Sequence, residues 1–454
     1  MTGLRNTLKE LAAYPSAVVG LVIVFILVGI SIYTIIAIPY DEAVRLWRGS
    51  EADWYNSPKF AAPVWTNLFT TRDRPETIIR SSQPDAPGQP GGPEKSVTEI
   101  SEEMWETAFA LSFDYEYDDF PQEISIFFNV QYDQKAPHVD MTWLTPDGRE
   151  IRMSSISLEG SPVYRTSQDK VLRRRLGGEV PHVGLLAQPD TEDNPVALRG
   201  TYELQVSSIT FEPESTVDAE LVLFGQVQGL AGTDHRRRDL MIALLWGTPI
   251  ALAFGLLAAV GTTITTLAIS GVGTWFGGWV DELIQRVTEV NMVLPFLPIL
   301  IMVGTFYSKS LWLMLGVVIL LSIFTGAIKT YRAMFIQVKA SPYIEAAQAY
   351  GASNWRIIFR YLVPRIIPMI IPALVVAIPG FVFLEAALAV LGLGDPILPT
   401  WGKVINEART NGALYQGRYY WVLEPSVLLI VTGLAFSLLG FSLDRIFNPR
   451  LRGL

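Results

Sequence analysis

The 454-residue sequence predicts a mainly α, polytopic membrane protein of six crossing helices, with a β-rich domain inserted after the first helix. Half of the residues are hydrophobic, which is too apolar for an ordinary soluble chain. The apolar residues gather into long runs with few or no charges. By contrast, the acidic residues behind the net charge of −9 concentrate between Asp41 and Glu220, where apolar and polar residues alternate.

Ser16 to Ile38 carries no charge and is long enough to cross a hydrocarbon core of roughly 30 Å at about 1.5 Å per residue. Arg5 and Lys9 precede it, as in a signal peptide, but the run is longer than a signal core and Ile36-Ala37-Ile38-Pro39 is a poor cleavage site. An uncleaved anchor over 1–39 is therefore expected. Residues 40–95 form an aromatic-rich segment with Trp47, Trp54, Tyr55, Trp65 and Phe69, ending in a Pro/Gly-rich linker from Pro84 to Pro93. Those aromatics suit either a membrane interface or a satellite core.

Strands are expected over Glu123 to Tyr132, Val139 to Leu144, Glu150 to Ile156, Thr201 to Thr210 and Ala219 to Gln226, with Pro146-Asp147-Gly148 as a hairpin turn. Val139, Met141 and Trp143 alternate as one buried face requires. A small antiparallel sandwich within 96–231 follows.

From 232 to 454 the chain reads as the membrane core. Leu240 to Val280 is charge-free and accommodates one crossing or a hairpin; further spans are expected over Val290 to Tyr307, Leu311 to Ile328, Ile366 to Leu391 and Trp421 to Leu443. Basic residues cluster at Arg5 and Lys9, from Lys329 to Arg365, and from Arg445 to Arg452. The positive-inside rule puts all three clusters in the cytoplasm, and only a single crossing between Leu240 and Val280 allows that. Both termini are then cytoplasmic and residues 40–235 extracytoplasmic, in a multi-pass protein of the cell membrane.

Ser341 to Pro364 is a polar, amphipathic stretch between apolar runs. Ser341 suits a helix N-cap, Pro342 the first turn, Glu345 the positive end of the dipole and Gly351 a left-handed stop. Ala346, Ala347 and Ala349 give a low-relief surface for a docking partner. A second segment from Ser353, carrying Trp355, Arg356, Phe359 and Arg360, reads as an interfacial helix. Within the spans, Pro295 and Pro379 mark kinks, and Glu385 is an ionisable group well inside the fifth. All three are candidates for lining a translocation path, although Glu385 also fits a carboxyl hydrogen-bonded to a neighbouring helix.

YIEAAQAYGAS resembles the EAA loop of permease subunits of ATP-binding-cassette importers, with Glu345, Ala346, Ala347 and Gly351 on its core and Tyr361 and Val363 departing from it. GTDHRRRD resembles the GTD-x-x-GRD segment of the dipeptide, oligopeptide and nickel family, with Arg237 in place of glycine. GGWVDELIQRV and FLEAALAVLGLG followed by Trp401-Gly402 resemble two further segments of its C-type subunit. The resemblance covers the first span and the chain after about Gly232, not the insert.

It implies a type I importer permease whose EAA loop, about 340–364, couples to the ATPase through Glu345, Ala346, Ala347, Gly351 and Arg356. It implies an outer-mouth motif of Gly232, Thr233, Asp234, Arg238 and Asp239, in which an ion-paired latch and a solvated helix start are both open readings. The implied partners are a homologous second permease, two ATPase subunits carrying ATP and Mg, an extracytoplasmic substrate-binding protein and membrane lipid.

No G-x-x-x-x-G-K-[ST] loop or nucleophile elbow occurs, so the chain is expected to be no enzyme and to hold no cofactor. It lacks cysteine, and His138, His182 and His235 are scattered, so no metal site is expected; nor is a nucleic-acid partner. Peptides are the expected cargo, with nickel chelates or oligosaccharides as alternatives. A secondary transporter is the rival class, but it generally needs more midplane ionisable groups than Glu385.

Overall fold

The computed structural model describes residues 14–49, 53–83, 93–101, 103–191 and 194–447; most of the expected linker (84–92), Arg5, Lys9, Arg450 and Arg452 lie outside them. The chain divides into two compact units, Met1–Arg48 with Met241–Leu454, and Gly49–Leu240.

The first unit is helical: α1 (Pro15–Ala37), α2 (Tyr40–Arg48), α3 (Leu240–Phe276), α4 (Gly278–Val293), α5 (Phe296–Phe306), α6 (Leu311–Ile323), α7 (Gly326–Lys339), α8 (Pro342–Ala349), α9 (Val363–Leu388), α10 (Trp401–Thr410) and α11 (Tyr420–Phe447). α1, α3, the helical run Asn354–Leu393 that contains α9, and α11 are each long and apolar enough to cross a membrane. α3 is one continuous helix of 37 residues, not a hairpin.

Two expected spans are bent pairs. α4 and α5 meet at 78°, and α6 and α7 at 51°. The first break follows from Pro295, which disfavours helical geometry in the residue before it; Leu294 has ψ 134 and Pro295 sits at the N-cap of α5. The second break, at Phe324 and Thr325, is satisfied from neighbouring helices. Asn291 Nδ2 of α4 donates to the Leu321 and Phe324 carbonyls at 2.9 and 2.8 Å, and Thr266 Oγ1 of α3 donates to Ile323 O at 3.1 Å. A break in an apolar environment persists only where its freed carbonyls find such donors.

The fifth span also differs from expectation. Helix begins at Asn354, so the supposed interfacial segment runs directly into the span. A π-turn, Ile358–Leu362, precedes Pro364, and another, Ala389–Leu393, follows α9. Proline removes one helical donor and crowds the carbonyl four residues back; a widened turn relieves that conflict.

Helix packing relies on close approach at glycine. A Cβ on Gly20 of α1 would lie 2.7 Å from Ala435 O of α11, and one on Gly440 of α11 would lie 2.3 Å from Val376 Cγ2 of α9. Small residues of this kind let membrane helices approach without a hydrophobic drive between them.

The second unit is a β-sandwich. Its strands are β1 (Ile78–Ser81), β2 (Ser96–Ser101), β3 (Met104–Tyr115), β4 (Glu123–Gln131), β5 (His138–Leu144), β6 (Glu150–Ser157), β7 (Val163–Arg165), β8 (Gly200–Thr210) and β9 (Thr216–Phe224). They form two sheets of order β1-β9-β4-β7 and β2-β3-β8-β5-β6, antiparallel throughout. Ile124, Ile126 and Leu221 of one sheet and Phe113, Trp143 and Tyr202 of the other are buried in a common core. Each fully buried aliphatic or Phe side chain contributes about 1.5–3 kcal/mol.

β1 lies in the segment before the linker yet pairs with β9, so residues 78–81 belong to the sandwich. Of the lead-in aromatics, Trp47 is buried in the helical unit. In the β unit Trp65 and Phe69, on the 3-10 turn Val64–Phe69, stay exposed.

Candidate functional site

The amphipathic stretch folds as α8, with Ser341 at the N-cap in extended backbone and Pro342 in the first turn. The Ser341 side chain makes no capping hydrogen bond, so the cap is conformational rather than the side-chain bond its identity suggested. Gly351 closes the helix at φ +76. Its N–H donates to Gln348 O at 2.9 Å and the Ala352 N–H donates to Ala347 O at 3.0 Å, the paired bonds of a Schellman stop.

Ile344 and Ala347 are the buried residues of α8. Ile344 enters a cluster with Leu267 and Trp275 of α3, Phe335 of α7, Ile358 and Leu362 of the π-turn, and Ile366 of α9. The low-relief surface expected of three alanines is thereby corrected: Ala347 faces inward at the i+3 position from Ile344, while Glu345, Ala346, Gln348 and Ala349 are exposed. Tyr350 at the C-cap is 93% exposed. Gly351 and Arg356 are exposed as well, and Trp355, though 57% exposed, stacks on Phe359 with ring centroids 5.9 Å apart.

Two polar ties hold the ground under α8. Arg332 of α7 grips Asp281 of α4 bidentately, with Nε at 2.8 Å from Oδ1 and Nη2 at 2.6 Å from Oδ2. Lys339, the last residue of α7, donates to Thr274 O and Trp275 O at 2.9 and 3.0 Å, placing a cation on the closing carbonyls of α3. Sequence reasoning counted Arg332 and Lys339 only as orientation charges. The available signal was Asp281, a lone early acid in the GGWVD match.

Glu385 in α9 is 5% exposed and directly precedes Ala386, against whose backbone Gly402 of α10 packs. Thr400 accepts the Lys403 N–H as N-cap of α10. The next residues complete the joint. Trp401 Nε1 donates to Leu244 O of α3 at 2.9 Å, a Cβ on Gly247 would lie 2.2 Å from the Trp401 ring, and one on Gly402 would lie 2.5 Å from Ala386 O. The fold therefore joins Glu385 to a helix junction. Pro295 stands at the α4/α5 break and Pro379 is buried in α9, six residues before Glu385.

In the β unit, Gly232 takes φ +71 and starts a tight clasp. Thr233 Oγ1 donates to Pro58 O at 2.8 Å and accepts the Ala61 N–H at 2.9 Å. Asp234 and Arg238 form a buried pair, Nη2 to Oδ2 at 2.5 Å and Nε to Oδ2 at 2.7 Å. The other Asp234 oxygen accepts the N–H groups of Arg236 and Arg238. Asp239 pairs by backbone with Thr233. The solvated helix start gives way to an internal latch.

Comparison with known proteins follows this geometry. The family described as "Binding-protein-dependent transport system inner membrane component" matches residues 251–453, which hold α8, Glu385 and the Trp401–Gly402 joint but not the clasp at Gly232. A glutathione transport system permease protein of Pectobacterium atrosepticum is 31% identical over 229 residues, 49% of this chain and 72% of that protein. The dipeptide transport system permease protein DppC of Bacillus subtilis is 28% identical over 222 residues, 49% of this chain and 68% of its own. A chain of the MetNI methionine ABC transporter in an inward-facing form aligns at TM-score 0.35 and 19% identity, covering 46% of this chain and 96% of that one. The chain belongs to the inner-membrane components of binding-protein-dependent transport systems, the permease subunits of ABC importers.

Proposed function

We propose that this chain is a peptide-importer permease that receives the stroke of a cytoplasmic ATPase through α8. The observation that carries the reading is the two-sided build of that helix. Ile344 and Ala347 root it among α3, α7 and α9, and Glu345, Ala346 and Ala349 are left outward, where a second protein can seat. Close-packed interiors pass displacement on rather than absorb it, so pressure on α8 reaches the long helices directly. A two-state membrane element is then biased by differential contacts at a remote site.

In this reading each bent pair is one span, giving six with both termini in the cytoplasm and residues 40–235 outside. Beside the chain stand a homologous second permease and two ATPase subunits that hold ATP and Mg. An extracytoplasmic substrate-binding protein delivers cargo, and the β unit helps to dock or orient it. Peptide cargo is supported by the relatives named for glutathione and dipeptide transport. Glu385, beside the joint that Gly402 makes with Ala386, acts as a positioning group.

Glu345 is the polar contact with the ATPase. Glu345→Arg is expected to abolish ATP-dependent dipeptide uptake into proteoliposomes reconstituted with the partner permease, the ATPase subunits and the binding protein, while membrane insertion and thermal stability stay at wild-type levels, since the side chain is exposed. Undiminished uptake in that variant refutes the assignment.

A further inference from the structure

The β unit carries an apolar knob at its surface. On the 3-10 turn Val64–Phe69, Leu68 and Phe69 are 83% and 81% exposed, and Leu230, in the segment after β9, is 69% exposed. Three residues per turn bring Trp65 and Leu68 to one side of the 3-10 turn, and Phe69 meets the Trp65 ring edge-on at 6.3 Å. Backbone bonds tie the two segments together: Gln228 N–H donates to Ala62 O at 2.8 Å and Val64 N–H to Gly229 O at 2.9 Å. Single exposed apolar side chains are ordinary, whereas a cluster of them marks a surface that something covers.

The polar atoms beside these rings are already paired. Trp65 Nε1 donates to Leu230 O at 3.0 Å, and the Thr66 and Thr70 hydroxyls donate to Pro63 O and Asn67 O at 2.6 and 3.1 Å. Neither Phe60 to Thr71 nor Leu221 to Thr233 contains a charged residue. The knob therefore meets hydrocarbon without carrying in a charge or an unpaired indole N–H, either of which is costly there.

The same segment leads straight into a membrane helix. Gly232, two residues after Leu230, accepts the N–H of Leu240 at 3.1 Å, and Leu240 is the first residue of α3. α3 is long and apolar enough to cross the bilayer and carries no charge from that residue on. Six residues later, about 9 Å along the helix, Trp246 Nε1 donates to Ile38 O, where the charge-free run of α1 ends. The start of α3 thus lies near headgroup depth, since the headgroup layer spans roughly 5–8 Å on each side of the hydrocarbon core.

We infer that Trp65, Leu68, Phe69 and Leu230 form a foot by which the β unit rests in the lipid interface. Trp, Phe and Leu are the side chains that enter the boundary between headgroups and acyl chains. A stable protein partner would call for roughly 20–30 residues a side, far more than four. The foot goes beyond the transport reading: it needs α3 to span the bilayer, and neither the cargo nor the coupling role of α8.

The test places the full chain in phosphatidylcholine nanodiscs, a zwitterionic lipid being sufficient for a contact without basic residues. Leu68→Cys, Phe69→Cys and Leu230→Cys each receive a nitroxide label, and Val97→Cys, on the exposed strand β2, is the reference in water. Collisions with oxygen, which concentrates in hydrocarbon, and with a neutral nickel chelate, which stays in water, are read by electron paramagnetic resonance. The ratio of oxygen to nickel collisions is expected to be at least roughly threefold higher at the three foot positions than at Val97. Nanodiscs expose both leaflets, so the result does not depend on orientation, and the replaced side chains are exposed, so the fold is kept. A ratio equal to that at Val97 leaves the foot in water and overturns the inference. Shielding from both reagents means that protein, such as a second copy of the chain, covers the knob, and overturns it as well.

Discussion

Asp234 and Arg238 are each almost wholly buried, at 0% and 2% exposure, and they satisfy one another together with two backbone donors. A buried pair of this kind adds little net stability as a unit, because desolvation offsets attraction, but removing one partner takes a charge-assisted bond from the other. Asp234→Ala, which also removes the acceptor of the Arg236 and Arg238 N–H groups, is therefore expected to destabilise the β unit by about 1–3 kcal/mol, read as a fall in the midpoint of chemical unfolding. The double variant Asp234→Ala with Arg238→Met should recover much of that loss. Were the single and double variants equally unstable, the clasp would owe its strength to Thr233 and the backbone bonds instead. The pairing of Asp234 with Arg238 was legible as an i,i+4 spacing; its burial was not, since the covering backbone of residues 57–61 is contributed from far away in sequence.

α9 and its neighbours show what hydropathy sees and what it misses. Ile358, Leu362, Ile366 and Ile370 are all buried, four residues apart. In an α-helix each step of four overshoots a full turn by about 40°, so the row would drift off one face; the wider π-turn at its start holds it back. A count of apolar residues finds that span but neither the extra residue in its turn nor the breaks at Leu294 and Phe324, because composition is continuous across them. In the sandwich, alternation located β4, β5, β6, β8 and β9. β3 passed unread although Phe109, Leu111, Phe113 and Tyr115 alternate inward, because no turn residues frame its start. The α10 joint yields a prediction at this level. Gly402→Ala places a methyl on the α9 backbone, so the thermal midpoint should fall by an amount corresponding to about 1–3 kcal/mol, whereas Gly316→Ala in α6 meets nothing within 4 Å and should change it little. Equal midpoints for the two would mean that α10 is not keyed to α9.

The chain contains no cysteine, so every single-cysteine variant reports one position without background. Under the proposed topology, Ala346→Cys on α8 should react with a membrane-impermeant maleimide only in inverted vesicles, and Val97→Cys, 65% exposed in the β unit, only in intact cells. Labelling of Ala346 from outside would remove both the orientation and the coupling role. The division of the chain into a helical and a β unit was readable from the change in composition near Pro39 and Gly229, whereas the proposed orientation rests on lysine and arginine placement alone.

The peg of Trp401 in the notch at Gly247, together with Gly402 against Ala386, keys α3, α9 and α10 to one another. A rearrangement that parts these three helices has to withdraw the indole from that notch. The two elbows, at Leu294–Pro295 and Phe324–Thr325, are where the main chain has already left its helical ladder, so bending there costs only the few bonds that Asn291 and Thr266 supply at the second of them.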